Sequence, residues 1–196
     1  MTGDRSEGWD AVAAEFIATR SDIGADVVRR WAGANLPPGA SIVDVGCGSG
    51  LPIARALSND GFAVSGIDAS PRMIAAFRAA CPQAPAACEA AQHSRFFDRR
   101  FDAAIAIGLV FLLRAKDQRQ LLVRVANCLE AEGRFLFSAP RQRCAWRDRS
   151  TGRRSLSLGS DGYEAICDSA GFRIVGSCLD GGGNHYFDAV RVSPAR

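Results

Sequence analysis

The segment Ser41-Ile42-Val43-Asp44-Val45-Gly46-Cys47-Gly48-Ser49-Gly50 constrains this chain more than any other. Its first half is a short apolar run of strand character, and its second half alternates glycine with small residues. A helix-like stretch from Leu51 to Leu57 follows. A strand that turns sharply into a helix through alternating glycines leaves its backbone bare, so a ligand can press where a Cβ would stand. The spacing is G-x-G-x-G, distinct from the G-x-G-x-x-G of most dinucleotide folds. A second apolar run, Phe62 to Ile67, ends in Asp68. That acid falls close to the offset of about 20 residues at which such folds hold a ribose.

From Ser41 onward, apolar runs alternate with segments of helical period, the pattern of a parallel sheet flanked by helices. Strands are expected at Ser41–Val45, Ala63–Ile67, Ala86–Cys88, Phe101–Ile107 and Gly133–Ser138. Phe172–Cys178 and Tyr186–Val192 should close the sheet as a hairpin. Helices are expected through Leu57, from Ser70-Pro71 to before Pro82, over Lys116–Leu129, and from a Ser160 cap to Gly171. Ahead of the sheet, Trp9, Ala13, Phe16 and Ile17 fall at helical spacing. Asp22 is expected to cap a second helix through Trp31, closed by Pro37-Pro38-Gly39. Residues 139–157 read as one long irregular stretch, and loops of that length usually carry function. The expectation is one α/β domain over residues 1–196, a helical lid (1–38) on a doubly wound core (39–196). The core's sheet should be mostly parallel with an antiparallel last strand and helices on both faces.

A length of 196 residues suits one well-cored domain. No apolar stretch approaches the ~20 residues needed to span a bilayer. The polar start lacks the apolar core of a secretory signal, which points to a cytoplasmic protein with no membrane partner. Seven cysteines, odd in number and without a C-x-x-C pair, suggest reduced core residues and no metal site. The net charge of +3 is too small to argue for nucleic acid. Its distribution is uneven, because Arg141, Arg143, Arg147, Arg149, Arg153 and Arg154 crowd into one segment. That segment reads as a solvated loop, as an electropositive rim for an anionic substrate, or as a nucleic-acid contact.

Asp44 to Gly50 resembles the first motif of the class I S-adenosylmethionine-dependent methyltransferases, which have a Rossmann-like fold. Gly66-Ile67-Asp68-Ala69-Ser70 is similar to the family's second motif, and Cys88-Glu89-Ala90 to its adenine-side acid. Phe101 to Leu113 resembles the fourth strand and the turn after it. Leu129-Glu130-Ala131-Glu132-Gly133-Arg134-Phe135 resembles the turn before strand five, although Ala131-Glu132 replaces Pro-Gly. Order and spacing across all five carry the match. Two departures bear on chemistry. Many relatives have two histidines where this chain has Phe111-Leu112. The Asn/Asp-Pro-Pro-Tyr/Phe of relatives that methylate base nitrogens or glutamine amides is missing after strand four, which disfavours nucleic acid as a partner.

The resemblance implies S-adenosylmethionine as cofactor and S-adenosylhomocysteine as product. Ligands of open α/β sheets bind beyond the carboxyl ends of the strands. Gly46, Cys47, Gly48 and Gly50 would then meet the methionine portion, with Asp44 holding the loop or the ammonium. Asp68 and Ala69 would take the ribose, and Met73, Glu89 and Ala90 the adenine, with Ile107 on the same edge. Arg20 of the lid would meet the cofactor's carboxylate. Methyl transfer from a sulfonium needs alignment and exclusion of water, and a base only when the acceptor arrives protonated. The expected function is methyl transfer to a small-molecule acceptor. An RNA or protein methyltransferase, or a catalytically silent cofactor-binding protein, are the alternatives. Phe111, Trp146, Asn184 and Tyr186 are the acceptor-side candidates. His185 is the candidate base or orienting group, because imidazole titrates near neutral pH. The sequence is silent on oligomeric state.

Overall fold

Seven of the apolar runs pair into a single sheet in the computed structural model, which describes residues 4–192. Residues 1–3 of the expected lid and residues 193–196 lie outside that range. The strands are β1 (Ser41–Val45), β2 (Ala63–Asp68), β3 (Ala86–Cys88), β4 (Phe101–Ala106), β5 (Leu129–Ser138), β6 (Arg143–Arg147), β7 (Arg154–Leu158), β8 (Phe172–Leu179) and β9 (His185–Arg191). The large sheet has the order β3-β2-β1-β4-β5-β9-β8, while β6 and β7 pair separately. β1 to β5 are mutually parallel and β9 is antiparallel to both β5 and β8. The sheet is mixed and mostly parallel, and Rossmann-like. The chain winds outward from β1 to β3, then restarts at β4 on the other side of β1. A ligand crevice forms where that order reverses, at the carboxyl ends of β1 and β4.

Helices α1 (Trp9–Thr19), α2 (Ala25–Asn35), α3 (Ile53–Asn59), α4 (Pro71–Ala80), α5 (Ala115–Cys128) and α6 (Gly159–Ala170) cover the sheet. Alternation along the strands divides the interior into two cores. Ile42, Ala103, Ile105 and Leu136 pack with α2, α3 and α4 on one face. Val43, Val45, Ala104, Phe135 and Phe137 pack with α5 and α6 on the other. On that second face, Phe137 stacks on Phe187 with ring centroids 5.0 Å apart, and Tyr163 meets both rings. Each such buried ring contributes about 1.5–3 kcal/mol.

The caps show where local chemistry decided. Ser70 caps α4 as expected, its Oγ accepting the Met73 N–H at 3.1 Å with Pro71 in the first turn. Gly171 closes α6 with a left-handed φ of 84°. Two expected caps are corrected. Asp22 uses its carbonyl, accepting from Ala25 N–H at 3.2 Å, and left-handed Gly24 (φ 93°) opens α2. Ser160 lies inside α6, whose first N–H, that of Gly159, donates to Ser157 Oγ at 3.1 Å. The largest correction concerns residues 139–157, which are not irregular. β6 and β7 form an antiparallel hairpin there, with Arg143 opposite Leu158 and Arg147 opposite Arg154. Gln118 of α5 holds it, donating from Nε2 to the carbonyls of Leu113 and Leu156 at 2.9 Å each.

Candidate functional site

A cavity of about 320 Å³ opens at the carboxyl ends of β1, β2 and β4, within the size range of small-molecule sites. Its floor is the turn after β1. Gly46 and Cys47 donate their N–H groups to the Ile67 carbonyl at 2.7 and 3.0 Å, which bends the loop back over β2. Asp68 fastens it there. Its Oδ2 accepts from Gly48 N–H at 3.0 Å and its Oδ1 from Ser70 N–H at 2.8 Å. Gly48 has a φ of +53°, and a Cβ on it would meet only the Met73 sulfur at 4.0 Å, so this glycine faces open cavity. Ser70 Oγ also donates to Asp10 Oδ1 at 2.6 Å, and Arg72 N–H donates to the same oxygen at 2.9 Å. Those two bonds dock α1 on the start of α4 and bring Trp9, Phe16 and Arg20 to the cavity wall.

Three carboxylates stand at the ends of three neighbouring strands. Asp44 is buried, and no hydrogen bond reaches its carboxylate among the described residues. Burial pushes its pKa up to about 7; the nearby Arg20 charge opposes that rise and the Asp68 charge adds to it. Burial also raises Asp68, against the backbone N–H bonds from Ser70 and Gly48. Glu89 uses Oε2 to accept from Ser94 Oγ at 2.7 Å and Arg95 N–H at 2.9 Å. Cys47 lines the same floor, where burial and the Asp44 and Asp68 charges push its thiol well above its usual range. That shift works against the thiolate form a nucleophile needs.

The opposite wall is apolar and basic. Leu109, Phe111, Leu112 and Leu113 come from the turn after β4. Ser150, Thr151, Arg153, Arg154 and Ser155 come from the tip and second strand of the β6–β7 hairpin. The tip is folded around Asp148, whose Oδ1 accepts from Ser150 N–H (3.1 Å), Thr151 N–H (2.7 Å) and Thr151 Oγ1 (2.8 Å). Arg153 reaches Glu7 of the N-terminal segment at 3.3 Å. That ion pair joins the hairpin to the segment ahead of α1 at the cavity's rim, where both residues line it.

A family model for methyltransferase domains matches residues 42–133. That segment, a little under half of the chain, is similar to the domains of class I methyltransferases. Among curated proteins none matches its sequence. Solved structures share the fold at low identity. Magnesium protoporphyrin IX methyltransferase from Synechocystis PCC 6803, with bound S-adenosylmethionine, has a TM-score of 0.74 at 16% identity, covering 97% of this chain and 98% of that one. An amino pentose methyltransferase of calicheamicin biosynthesis from Micromonospora echinaspora has 0.70 at 19%, covering 92% and 95%. A chain of the Haloferax volcanii complex between the Trm112 methyltransferase activator and a methyltransferase has 0.77 at 15%, covering 97% and 99%. The cofactor of the class is S-adenosylmethionine. No helix among the described residues is long and apolar enough to cross a membrane.

Most of the residues singled out in the sequence meet in the one cavity. Arg20, Asp44, Gly46, Cys47, Gly48, Asp68, Ala69, Met73, Glu89, Ala90, Ile107 and Phe111 all line it. Five do not. Gly50 faces inward, where a Cβ would stand 2.8 Å from Phe77 Cδ2, so it serves helix packing. Trp146 stands behind Phe111, with ring centroids 5.4 Å apart. Asn184 Nδ2 and Tyr186 OH both donate to Asp180 Oδ2 at 2.9 Å and close their own turn. His185 is buried edge-on against Phe187 at 4.4 Å, with burial and the Arg141 charge lowering its pKa. The glycine turn does emerge past the carboxyl end of β8, but it abuts Ile23 and Gly24 between α1 and α2. Sequence reasoning missed Arg5, Glu7, Ser155 and the hairpin tip. Only Asp148-Arg149-Ser150-Thr151-Gly152 carried a signal, since an Asp ahead of Ser, Thr and Gly marks a tight turn.

Proposed function

We propose that this protein transfers a methyl group from S-adenosylmethionine to a small-molecule acceptor. The observation that carries the reading is the division of one cavity into an acidic, glycine-floored half and an apolar, arginine-bearing half. The residues present fit the cofactor. Gly48 leaves space where a side chain would block it, and Asp44 is a buried carboxylate free to meet an ammonium. Asp68 stands at the end of β2 for the ribose hydroxyls, with Met73 and Glu89 placed for the adenine. Arg20 is placed for the carboxylate. When bound, the cofactor supplies an electrophilic methyl on a positively charged sulfur.

The chain's own work is then to orient and to exclude water. Trp9, Phe16 and Arg20 of α1 wall the cavity, which supports the N-terminal segment as a lid. With His185 off the wall, catalysis is assigned to alignment rather than to a fixed base. The cavity's size and the Glu7–Arg153 pair at its rim favour a small acceptor over an RNA or protein chain. The seven cysteines, none in a disulfide, suit a reducing cytoplasm.

The test is methyl transfer from labelled cofactor into three pools: a metabolite extract, RNA and protein. Label is expected in the metabolite fraction. Label confined to RNA or protein would contradict the small-acceptor reading. Cofactor binding with no label in any pool would favour a silent binding protein.

A further inference from the structure

We infer that the hairpin half of the cavity is a subsite for a flat, largely apolar acceptor carrying one carboxylate, gripped by Arg154 and oriented by the Ser155 hydroxyl. This rests on the methyl-transfer reading and adds the acceptor's chemical class to it. The two halves of the cavity differ in sign. Asp44, Asp68 and Glu89, with Arg20 as the nearby cation, stand toward the glycine floor, whereas Arg153 and Arg154 present positive charge opposite. Arg153 is engaged by Glu7, while Arg154 pairs with no carboxylate among the described residues.

Ser155 is the second, independent sign. It lines the cavity at 1% exposure, and its Oγ has no hydrogen-bond partner. Buried hydroxyls are ordinarily satisfied, and one held against a cavity is completed by whatever binds there. Ser157, two residues along β7 and also buried, is satisfied. Its Oγ donates to the Pro140 carbonyl at 2.6 Å and accepts from Gly159 N–H at 3.1 Å. Of these two buried serines of β7, only the one at the cavity lacks a partner.

Beside these groups stand Leu109, Leu112 and Phe111, with Trp146 bracing Phe111 from behind. A planar ring lies well on such a wall. Its carboxylate would meet the Arg154 guanidinium, whose fork matches carboxylate geometry, and a further polar atom would meet Ser155 Oγ. Among the described residues, Arg154 is the one guanidinium of the hairpin wall that pairs with no carboxylate, and with Asp148 also on that wall the hairpin matches a single negative charge better than a dianionic phosphate.

The experiment titrates matched acid and amide pairs into protein saturated with S-adenosylhomocysteine. The probes are 4-hydroxybenzoate against 4-hydroxybenzamide, and indole-3-carboxylate against indole-3-carboxamide. The acids are expected to bind at least about tenfold more tightly than the amides, a preference that shrinks as salt rises. Arg154→Gln should erase the acid preference, and Ser155→Ala should weaken both acids about tenfold. Both variants should hold S-adenosylhomocysteine as the parent does, which also reports that they fold. Acids and amides binding alike, or neither binding to protein that holds S-adenosylhomocysteine, would overturn the subsite alone. Loss of S-adenosylhomocysteine affinity in Arg154→Gln would reassign that arginine to the cofactor and overturn it as well. Failure of the parent to bind S-adenosylhomocysteine would instead remove the cofactor reading beneath it.

Discussion

Gly48 and Gly50 both adopt left-handed backbone, yet they restrict different things. Gly48 faces the cavity, so Gly48→Val should lose S-adenosylhomocysteine binding by about a hundredfold or more, roughly 2.7 kcal/mol. Its cost to the fold should stay near the 1–2 kcal/mol, roughly, of a side chain in that backbone region. Gly50→Ala should do the reverse. Its Cβ would press on Phe77 at 2.8 Å, lowering stability by about 1–3 kcal/mol in denaturant while ligand affinity persists. Equal loss of binding in both variants would return Gly50 to the cavity. Asp44 gives a pH signature. Its pKa stands near 7 in the folded chain, above the roughly 3.9 of an unfolded aspartate. The folded state therefore keeps a proton that the unfolded state gives up, and stability of the unliganded protein should fall as pH rises from about 4 to about 7. A cofactor ammonium favours the carboxylate, so binding should expel that proton. Affinity for S-adenosylhomocysteine should rise with pH up to about 7 and then level off. Calorimetry at pH 6.5 in buffers of different ionisation heat reads the proton directly, and Asp44→Asn should release none. A parent that releases none would place the ammonium elsewhere.

Among the elements, α1 and the β6–β7 hairpin wall the cavity from outside the large sheet. Asp10 ties α1 to the start of α4 through Ser70 and Arg72, so Asp10→Ala should loosen the lid without touching the glycine floor. Hydrogen exchange in α1 and in the 148–152 tip should slow when S-adenosylhomocysteine binds, and Asp10→Ala should erase that slowing in α1. Equal protection with and without ligand would leave α1 a docked helix and no lid. These elements were unequally legible in the sequence. β1, β2 and β4 announce themselves because both faces are covered and each is built around a short apolar run. The hairpin does not. β6 is exposed along almost its whole length, and the inward positions of β7 are Ser155 and Ser157, so no hydrophobic alternation marks either strand. Its pairing and the Gln118 bridge decide it, and both are tertiary. The α2 cap was misread for a related reason, because left-handed Gly24 sets the helix start where Asp22 offered a plausible side chain.

For the molecule as a whole, the reversal of strand order at β1 and β4 explains why half of the site could be read in advance. The half proposed for the cofactor is built from strand ends, and strand ends follow from the apolar runs that precede them. Asp44, Gly46, Gly48, Asp68 and Glu89 could therefore be placed together from their order alone. The half proposed for the acceptor is assembled from the N-terminal segment, the turn after β4 and the hairpin, which are distant in sequence and share no local pattern. His185 was singled out because β8 delivers its turn to the right edge. The side chain follows the pleat of β9 instead, onto Phe187 and into the core. His185→Ala should accordingly keep S-adenosylhomocysteine affinity, and on an identified acceptor keep kcat within about threefold; a loss of about 10²–10⁴ would restore it as a base. The most direct measurement is a calorimetric titration of the purified protein with S-adenosylhomocysteine. A single site with a micromolar Kd, about −8 kcal/mol, is expected. A folded protein giving neither heat nor a thermal shift with S-adenosylhomocysteine or S-adenosylmethionine would contradict a cofactor site on the Gly46–Gly48 turn.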